Sequence, residues 1–290
     1  MRLSLFLLFW LAGWNGAQAR FLRSHGTVAW KPPELTGDRF LRELDAVQDA
    51  SKEHVLKSLE KFPERDLEES LHVSSDGHFF YEESLKFSLT PSVEQAPALT
   101  LEAMRAAAPV VFQDANMRFD ANGTPLLHSK KGSANTIFLD FDGHDPSAEQ
   151  RATWSYTGEP WEGLGADHDP AFIAGCWARA SEDFSSWDID VTTEAPPPTA
   201  LQTNPRIAHV TVIKSREGMP YPSTAGVAYV NVFGTQWAHK YGPAIVYYNN
   251  LNNVMEYVAE AISHVRTLYH CIHSCAHQAP LERLLSAGWR

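Results

Sequence analysis

Apolar residues recur at spacings of three and four in three stretches of the chain, which predicts amphipathic helices over residues 38–62, 171–184 and 254–264. In the second stretch, Asp169 and Pro170 stand where a helix cap and the first helical residue belong. The chain therefore contains helices with one apolar face each, and every such face needs a partner to pack against.

Runs rich in β-branched and aromatic residues predict strands between and around these helices. The predicted strands cover residues 135–141, 189–193, 207–213, 225–232 and 244–248. Strands that alternate with helices along a chain are typical of α/β and α+β folds. We therefore expect a mixed sheet backed by two main helices.

The N-terminal residues have the pattern of a secretory signal peptide. Arg2 precedes an apolar stretch over residues 3–14, and residues 17–19 read A-Q-A, a small-residue cleavage site. The apolar stretch is shorter than the ~20 residues that a membrane span needs. We expect residues 1–19 to be removed and the mature chain to be secreted, with no membrane association afterwards.

Composition and charge narrow the class of protein further. A length of 290 residues with 44% hydrophobic content allows one or two packed domains. The net charge of -11 without clustered Lys and Arg excludes a nucleic-acid partner. Turn-rich linkers and partly helical segments indicate a pro-region and linker over residues 20–132, followed by a domain over residues 133–264.

The helical stretch that ends at His264 looks like the first half of a zinc-protease helix. In the motif H-E-x-x-H, two histidines one turn apart bind Zn²⁺ and the glutamate activates the bound water. Here Val265 occupies the general-base position, and Leu268 occupies the position of the second histidine. Ser274 stands where an extended motif has its third ligand. His264 is the one metal ligand of this motif that the sequence retains.

Four segments with the sequences TIFLDFDGH, EDFSSWDIDVTTE, AGVAYV and VAEAISH occur in this order, at residues 136–144, 182–194, 225–230 and 258–264. Together they resemble a family of secreted, metzincin-like zinc endopeptidases whose active-site helix reads V-A-E-A-x-S-H-E-x-G-H. The resemblance covers residues 120–264 and stops at His264.

This resemblance implies the upper part of a metzincin-like domain, with a twisted mixed sheet, a backing helix, an active-site helix and a Zn²⁺ cofactor. It implies a peptide or protein substrate, and it makes His264 a zinc ligand. It also implies that a substrate adds as a β-strand to a rim strand formed by Gly226, Val227, Ala228 and Tyr229.

The broken motif changes the functional expectation for this particular chain. With Val265 at the general-base position, we expect the chain to be catalytically inactive, with the lower subdomain of the family missing. Residues 265–290 are interpreted as an aberrant tail produced by intron retention, a frameshift or a gene-model error. The alternative function is that of a noncatalytic secreted binding module.

A second enzyme hypothesis rests on the strand before Gly143. A hydrophobic strand followed by D-x-D-G resembles the first motif of haloacid-dehalogenase-type phosphatases, which implies Asp140 as the nucleophile and Asp142 as the general acid beside Mg²⁺. His144 departs from the residue types usual after that glycine, and no acidic pair follows a later strand. Turn capping and Ca²⁺ binding are the other interpretations of the two carboxylates.

Overall fold

The computed structural model describes residues 38–59, 62, 70–83, 117–165 and 169–264. The chain divides into two compact units, Met1–Phe79 and Phe80–Arg290. The predicted signal peptide and the tail over residues 265–290 lie outside the described residues. None of the described helices is long and apolar enough to cross a membrane.

The first unit contains α1 (Asp38–Ala46), α2 (Asp49–Leu59) and β1 (Leu71–Val73). The helix predicted over residues 38–62 is therefore interrupted. At the break, the backbone N–H of Gln48 donates to the carbonyl of Ser75 at 3.0 Å rather than continuing α1. This bond comes from a residue far away in sequence, so the periodicity of the helical stretch does not reveal it.

The second unit contains six strands of a mixed sheet: β2 (Phe79–Glu83), β3 (Asn135–Asp140), β6 (Ile189–Thr192), β7 (Ile207–Ile213), β8 (Gly226–Tyr229) and β9 (Ala244–Tyr247). Their order in the sheet is β2-β8-β9-β7-β3-β6. Strands β9, β7, β3 and β6 run parallel to one another, and β8 is antiparallel to both β2 and β9. A separate two-stranded ribbon pairs β4 (Gly143–His144) with β5 (Trp161–Glu162).

The described helices of this unit are α3 (Ala148–Thr153), α4 (Pro170–Asp183), α5 (Pro198–Thr203), α6 (Ala238–Tyr241) and α7 (Met255–His264), with a 3₁₀ turn at Tyr248–Leu251. In α4 the predicted cap is confirmed, because the Asp169 carboxylate accepts a hydrogen bond from the backbone N–H of Ala171 at 2.9 Å. Cys176 of the same helix is fully buried, and this burial raises the pKa of its thiol, so it is unreactive.

Helices α4 and α7 cover one face of the sheet. Their buried residues share a core with Ile137 and Leu139 of β3 and with Val210 and Val212 of β7. Side chains alternate between faces along a strand, so Asp140 and the other intervening residues of these two strands point to the opposite face. On that face a second, aromatic-rich core is built from residues such as Trp161, Tyr229 and Tyr247.

The expected mixed sheet with helices is confirmed as a mixed α/β fold. The strand predicted over residues 225–232 is shorter than expected, because Asn231 has a left-handed backbone (φ 60°) that cannot continue a strand. The predicted domain boundary at residues 132 and 133 stays a prediction. Part of the predicted pro-region, residues 80–83 and 117–132, lies within the second compact unit.

Candidate metal centre

Three side chains with metal-binding atoms meet on the face of the sheet opposite to α4 and α7. Asp140 is the last residue of β3, His209 lies in the neighbouring parallel strand β7, and His144 belongs to the β4–β5 ribbon. The turn between β3 and β4 depends on Gly143, whose φ is +99°. A Cβ atom on Gly143 would meet the carbonyl oxygen of Trp161 at 2.5 Å, so the close approach of the ribbon requires glycine.

One ligand atom from each of Asp140, His144 and His209 lies within 4.8 Å of the others. The Nε2 atom of His209 is 2.8 Å from Oδ2 of Asp140, and both side chains are only 12% exposed. The other carboxylate oxygen of Asp140 accepts the backbone N–H of Asp142 at 3.0 Å. The two imidazole rings meet edge to face, with their centroids 5.0 Å apart. The Asp140 carboxylate is therefore held by the backbone N–H of Asp142 on one oxygen and by His209 on the other.

Gln150 fixes the proton of the third ligand, His144. Its Oε1 atom accepts the backbone N–H of Ser147 at 2.9 Å, and its Nε2 atom donates to the carbonyl of His239 at 3.0 Å. These two backbone partners determine which end of the amide is oxygen. The Nε2 atom of His144, 3.1 Å from Oε1 of Gln150, is therefore the N–H donor of the ring. The lone pair of the neutral ring is consequently on Nδ1, the atom left for a metal.

Electrostatics keep this histidine neutral. Burial, together with the neighbouring His209, lowers the pKa of His144 to about 4, against weaker opposing effects of Gln150 and Asp140. A neutral imidazole is the form that binds metal ions. At neutral pH a metal therefore does not have to displace a proton from a charged ring here.

A cavity of about 210 Å³ adjoins the centre. Both imidazoles and Gln150 line it, and a largely apolar wall completes it. Members of that wall are Pro198, Leu201, Ala228, Val232, Phe233 and Tyr241. A metal held by the two imidazoles would thus lie next to a space that can take a small organic group.

Two imidazoles and one carboxylate form a donor set that suits Zn²⁺ and other divalent transition metals. Ca²⁺ instead takes six to eight oxygen ligands, so this set does not favour the Ca²⁺ interpretation of Asp140. The group could hold a metal ion, and the residues alone do not specify which one.

Of the residues that the sequence singles out, Asp140 belongs to the centre, whereas His264 and Asp142 lie outside it. His264 is the last residue of α7, and this helix packs on the face of the sheet opposite to the centre. The side chain of His264, together with Val265, Leu268 and Ser274, lies outside the described residues. Asp142 is exposed as a whole residue, and its carboxylate accepts a hydrogen bond from the Thr124 hydroxyl at 3.2 Å. Partial desolvation of this carboxylate, together with the neighbouring Asp120 and Asp140, raises its pKa.

The four residues of the predicted rim strand form β8 and are all buried. Both edges of β8 are paired, one with β2 and the other with β9. Ala228 and Tyr229 also line the cavity beside the centre. A peptide could therefore add to β8 only if β2 left it, and the substrate role of Gly226, Val227, Ala228 and Tyr229 stays a prediction.

The sequence does not identify His209 as a ligand. The strand predicted over residues 207–213 is confirmed, but the strand pattern gives its histidine no role. The signal that the sequence does contain is the position of His209 between Ala208 and Val210, which face the core. Side chains alternate along a strand, so His209 faces the other side of the sheet. There it can meet the D-x-D-G-H motif once β7 is known to pair with β3.

Fold and site together define a mixed α/β fold with a candidate metal centre. Comparison with protein-family models, with curated proteins and with solved structures finds no match.

Proposed function

We propose that this chain is secreted, that it binds one Zn²⁺ ion through Asp140, His144 and His209, and that it descends from zinc metallopeptidases without retaining their activity. The observation that carries the proposal is the convergence of the three ligand atoms within 4.8 Å, next to a cavity. The resemblance of the sequence to zinc endopeptidases supports the choice of Zn²⁺, and the donor set supports it independently.

One pair of ligand atoms in the metal-free protein is already near the separation that zinc requires. Ligand atoms at about 2.0–2.1 Å from a tetrahedral ion are separated by about 3.3 Å. The Asp140 and His209 atoms are already 2.8 Å apart, in a hydrogen bond that the metal would replace. Replacing this hydrogen bond by two bonds to a metal then needs only a small shift of these two side chains.

The lack of peptidase activity is proposed on sequence grounds. Peptide hydrolysis in the family depends on a glutamate that takes a proton from zinc-bound water, and Val265 occupies that position here. The chain would then act as a zinc-binding module outside the cell. The proposal includes a peptide or protein as the binding partner, because the resembling family acts on peptides and proteins.

Zinc stoichiometry of the purified chain tests the proposal. We expect one Zn²⁺ per chain by elemental analysis after dialysis, and its loss in Asp140→Asn and His209→Gln. The control variant is His54→Ala, a change at an exposed histidine of α2. Unchanged zinc content in the two site variants, with native circular dichroism, would contradict the assignment.

An active zinc endopeptidase is the second candidate, because His264 lies on α7, in the segment that resembles the active-site helix. An active endopeptidase would hold its zinc ion at His264 rather than at Asp140, His144 and His209, and it would cleave peptides. Chelator-sensitive cleavage of casein that disappears in His264→Ala, while His209→Gln remains active, would establish this candidate and refute the inactive module. Mg²⁺-dependent hydrolysis of p-nitrophenyl phosphate that is lost in Asp142→Asn would instead support the phosphatase hypothesis.

A further inference from the structure

Lys130 and Lys131 are the only two adjacent Lys or Arg residues in the sequence. They lie in an exposed turn just before β3, which is closed by a hydrogen bond from the backbone N–H of Ser133 to the carbonyl of Lys130 at 3.1 Å. A Cβ atom on Gly132, whose φ is +97°, would meet nothing within 4 Å. The backbone around the Lys131–Gly132 bond is therefore accessible from solvent.

Both lysine side chains are held by weak contacts at the surface. Lys130 is 54% exposed and pairs with Asp188 at 3.2 Å. Lys131 is 63% exposed and pairs with Glu194 at 3.1 Å. Exposed ion pairs contribute little to stability, so either lysine can leave its partner easily. An endoprotease that requires two adjacent basic residues can therefore bind this turn when the turn opens locally.

The segment over residues 125–129, which we call the strap, covers the outer edge of β6, the last strand of the described sheet. The backbone N–H of Ser129 donates to the carbonyl of Val191 at 3.0 Å, and the N–H of Val191 donates to the Ser129 hydroxyl at 2.8 Å. The backbone N–H of Leu127 donates to the Thr193 hydroxyl at 2.9 Å, and its carbonyl accepts the N–H of Thr193 at 3.1 Å. The strap therefore takes the place of a further strand and pairs backbone groups that an uncovered edge would expose.

Side chains strengthen the attachment of the strap. Leu127 is buried. The ring of His128 lies between two carboxylates, with Nδ1 2.7 Å from Oδ2 of Asp190 and Nε2 2.6 Å from Oε2 of Glu194. Hydrogen bonds to charged groups are stronger than those between neutral groups. The strap is therefore part of the packed structure, although it belongs to the predicted pro-region.

The same part of the chain also supplies β2, on the other side of the sheet. Residues 80–83 of β2 pair with β8 in antiparallel register, and the buried Phe80 has its ring centroid 5.3 Å from that of Tyr229. Strands β8, β9, β7, β3 and β6 consequently lie between β2 and the strap. Both β2 and the strap precede Lys131 in the sequence, so the chain before the turn holds these five strands from two sides.

We propose that Lys130 and Lys131 form a processing site, and that the two pieces of the cut chain stay together without a covalent link. An endoprotease specific for paired basic residues hydrolyses the Lys131–Gly132 bond. One water molecule is consumed, a carboxylate forms on Lys131 and an ammonium group forms on Gly132. The N-terminal piece leaves only when β2 and the strap have both opened, because each is bound to the C-terminal piece by its own hydrogen bonds. Neither step requires a bound metal, so the processing site and the proposed function can fail independently.

Digestion of the native full chain tests the site. We expect an endoprotease specific for paired basic residues to produce one new N-terminus, at Gly132, detected by N-terminal sequencing and by the masses of the pieces. Lys131→Gln should abolish this product, whereas Lys214→Gln, a change at another exposed lysine, should leave it unchanged. A synthetic peptide with the sequence of residues 126–135 shows that the protease is active. Cleavage of this peptide but not of the native chain would refute the processing site.

Trypsin gives an internal comparison, because it cuts after accessible lysine and arginine residues alike. Arg216 is also exposed, but its guanidinium donates to the carbonyls of Glu159 and Pro160 at 2.9 Å each. These bonds must break before a protease can bind the side chain, so we expect cleavage after Lys131 to be at least about tenfold faster than cleavage after Arg216. Equal rates, or faster cleavage after Arg216, would contradict the accessibility of the turn.

Gel filtration of the cut chain tests the retention of the N-terminal piece. We expect both pieces to elute together in native buffer and to separate in concentrated urea. Thr193→Val removes the hydroxyl that contacts Pro125 and Leu127 at nearly constant shape, and it should raise the dissociation constant of the cut pair about tenfold. The matched control is Thr199→Val, a change at an exposed threonine of α5. Separation of the wild-type pieces in native buffer refutes their retention, and equal dissociation constants for wild type and Thr193→Val refute the role of the strap.

Discussion

Acidification should destabilise the second compact unit through His144. The folded-state pKa of this residue is lowered to about 4 by burial, with a further contribution from His209, whereas the unfolded value is 6.5. Between these two values the unfolded chain binds more protons than the folded one, so the free energy of unfolding increases with pH. The contribution is fully present above pH 6.5 and is lost as the pH falls from 6.5 towards 4.

The magnitude follows from the size of the shift. A change of one pKa unit corresponds to about 1.4 kcal/mol, so a shift from 6.5 to about 4 is worth on the order of 3 kcal/mol across the window. The assay is urea unfolding of the metal-free chain in the presence of a chelator, at half-unit steps from pH 7.5 to pH 4.5. Tryptophan fluorescence is a suitable probe, because the Trp161 ring lies against His144.

The comparison that isolates His144 is with His144→Gln, which keeps a polar side chain but cannot take up a proton. Other groups titrate in the same range, so the quantity of interest is the difference between wild type and variant at each pH. That difference should change by about 3 kcal/mol over the window, in favour of the variant at low pH. Parallel pH dependences for the two proteins would show that His144 is not a buried neutral residue, and would refute its description as a preformed ligand.

Three further outcomes can be checked on the same unfolding scale. Gly143→Ala should destabilise the second unit by about 1–3 kcal/mol and abolish zinc binding, because the added Cβ meets the β5 backbone at 2.5 Å in a positive-φ conformation. Thr211→Val should stabilise the metal-free chain by about 1 kcal/mol or more, since it removes a buried hydroxyl that lacks a partner among the described residues. His128→Ala should lower the free energy of unfolding by about 2 kcal/mol, because His128 lies 2.7 Å from the buried Asp190 carboxylate. As a comparison, Asp188→Ala breaks an exposed ion pair with Lys130 and should change the free energy of unfolding by less than about 0.5 kcal/mol. In each case an effect of the opposite sign would contradict the described contact.

Local signals in the sequence were sufficient for strands β3 and β7 and for helix α4, but not for the β4–β5 ribbon or for α3. The alternation of β-branched residues predicts β7 with the bounds that it has, and Asp169 with Pro170 marks the start of α4. Such features depend on neighbours a few residues away. They can therefore be derived from the chain without knowledge of the tertiary structure.

The centre itself depends on contacts between distant parts of the chain. His209 meets Asp140 across 69 positions, because β7 pairs with β3 in a particular parallel register. The sequence shows that both strands exist, but it does not show that they are neighbours or which residues are opposite each other. The pairing of β2 with β8 and the interruption between α1 and α2 were not predicted for the same reason.

The position of the centre also changes the meaning of the broken zinc-protease motif. The motif ends on α7, which packs against the face of the sheet shared with α4, whereas Asp140 and His209 project from the other face. A substitution at Val265 therefore does not remove a ligand from the Asp140, His144 and His209 set. Loss of peptidase chemistry is therefore compatible with retention of a metal in this chain. Comparing His264→Ala with His209→Gln distinguishes which of the two sites a bound zinc ion occupies.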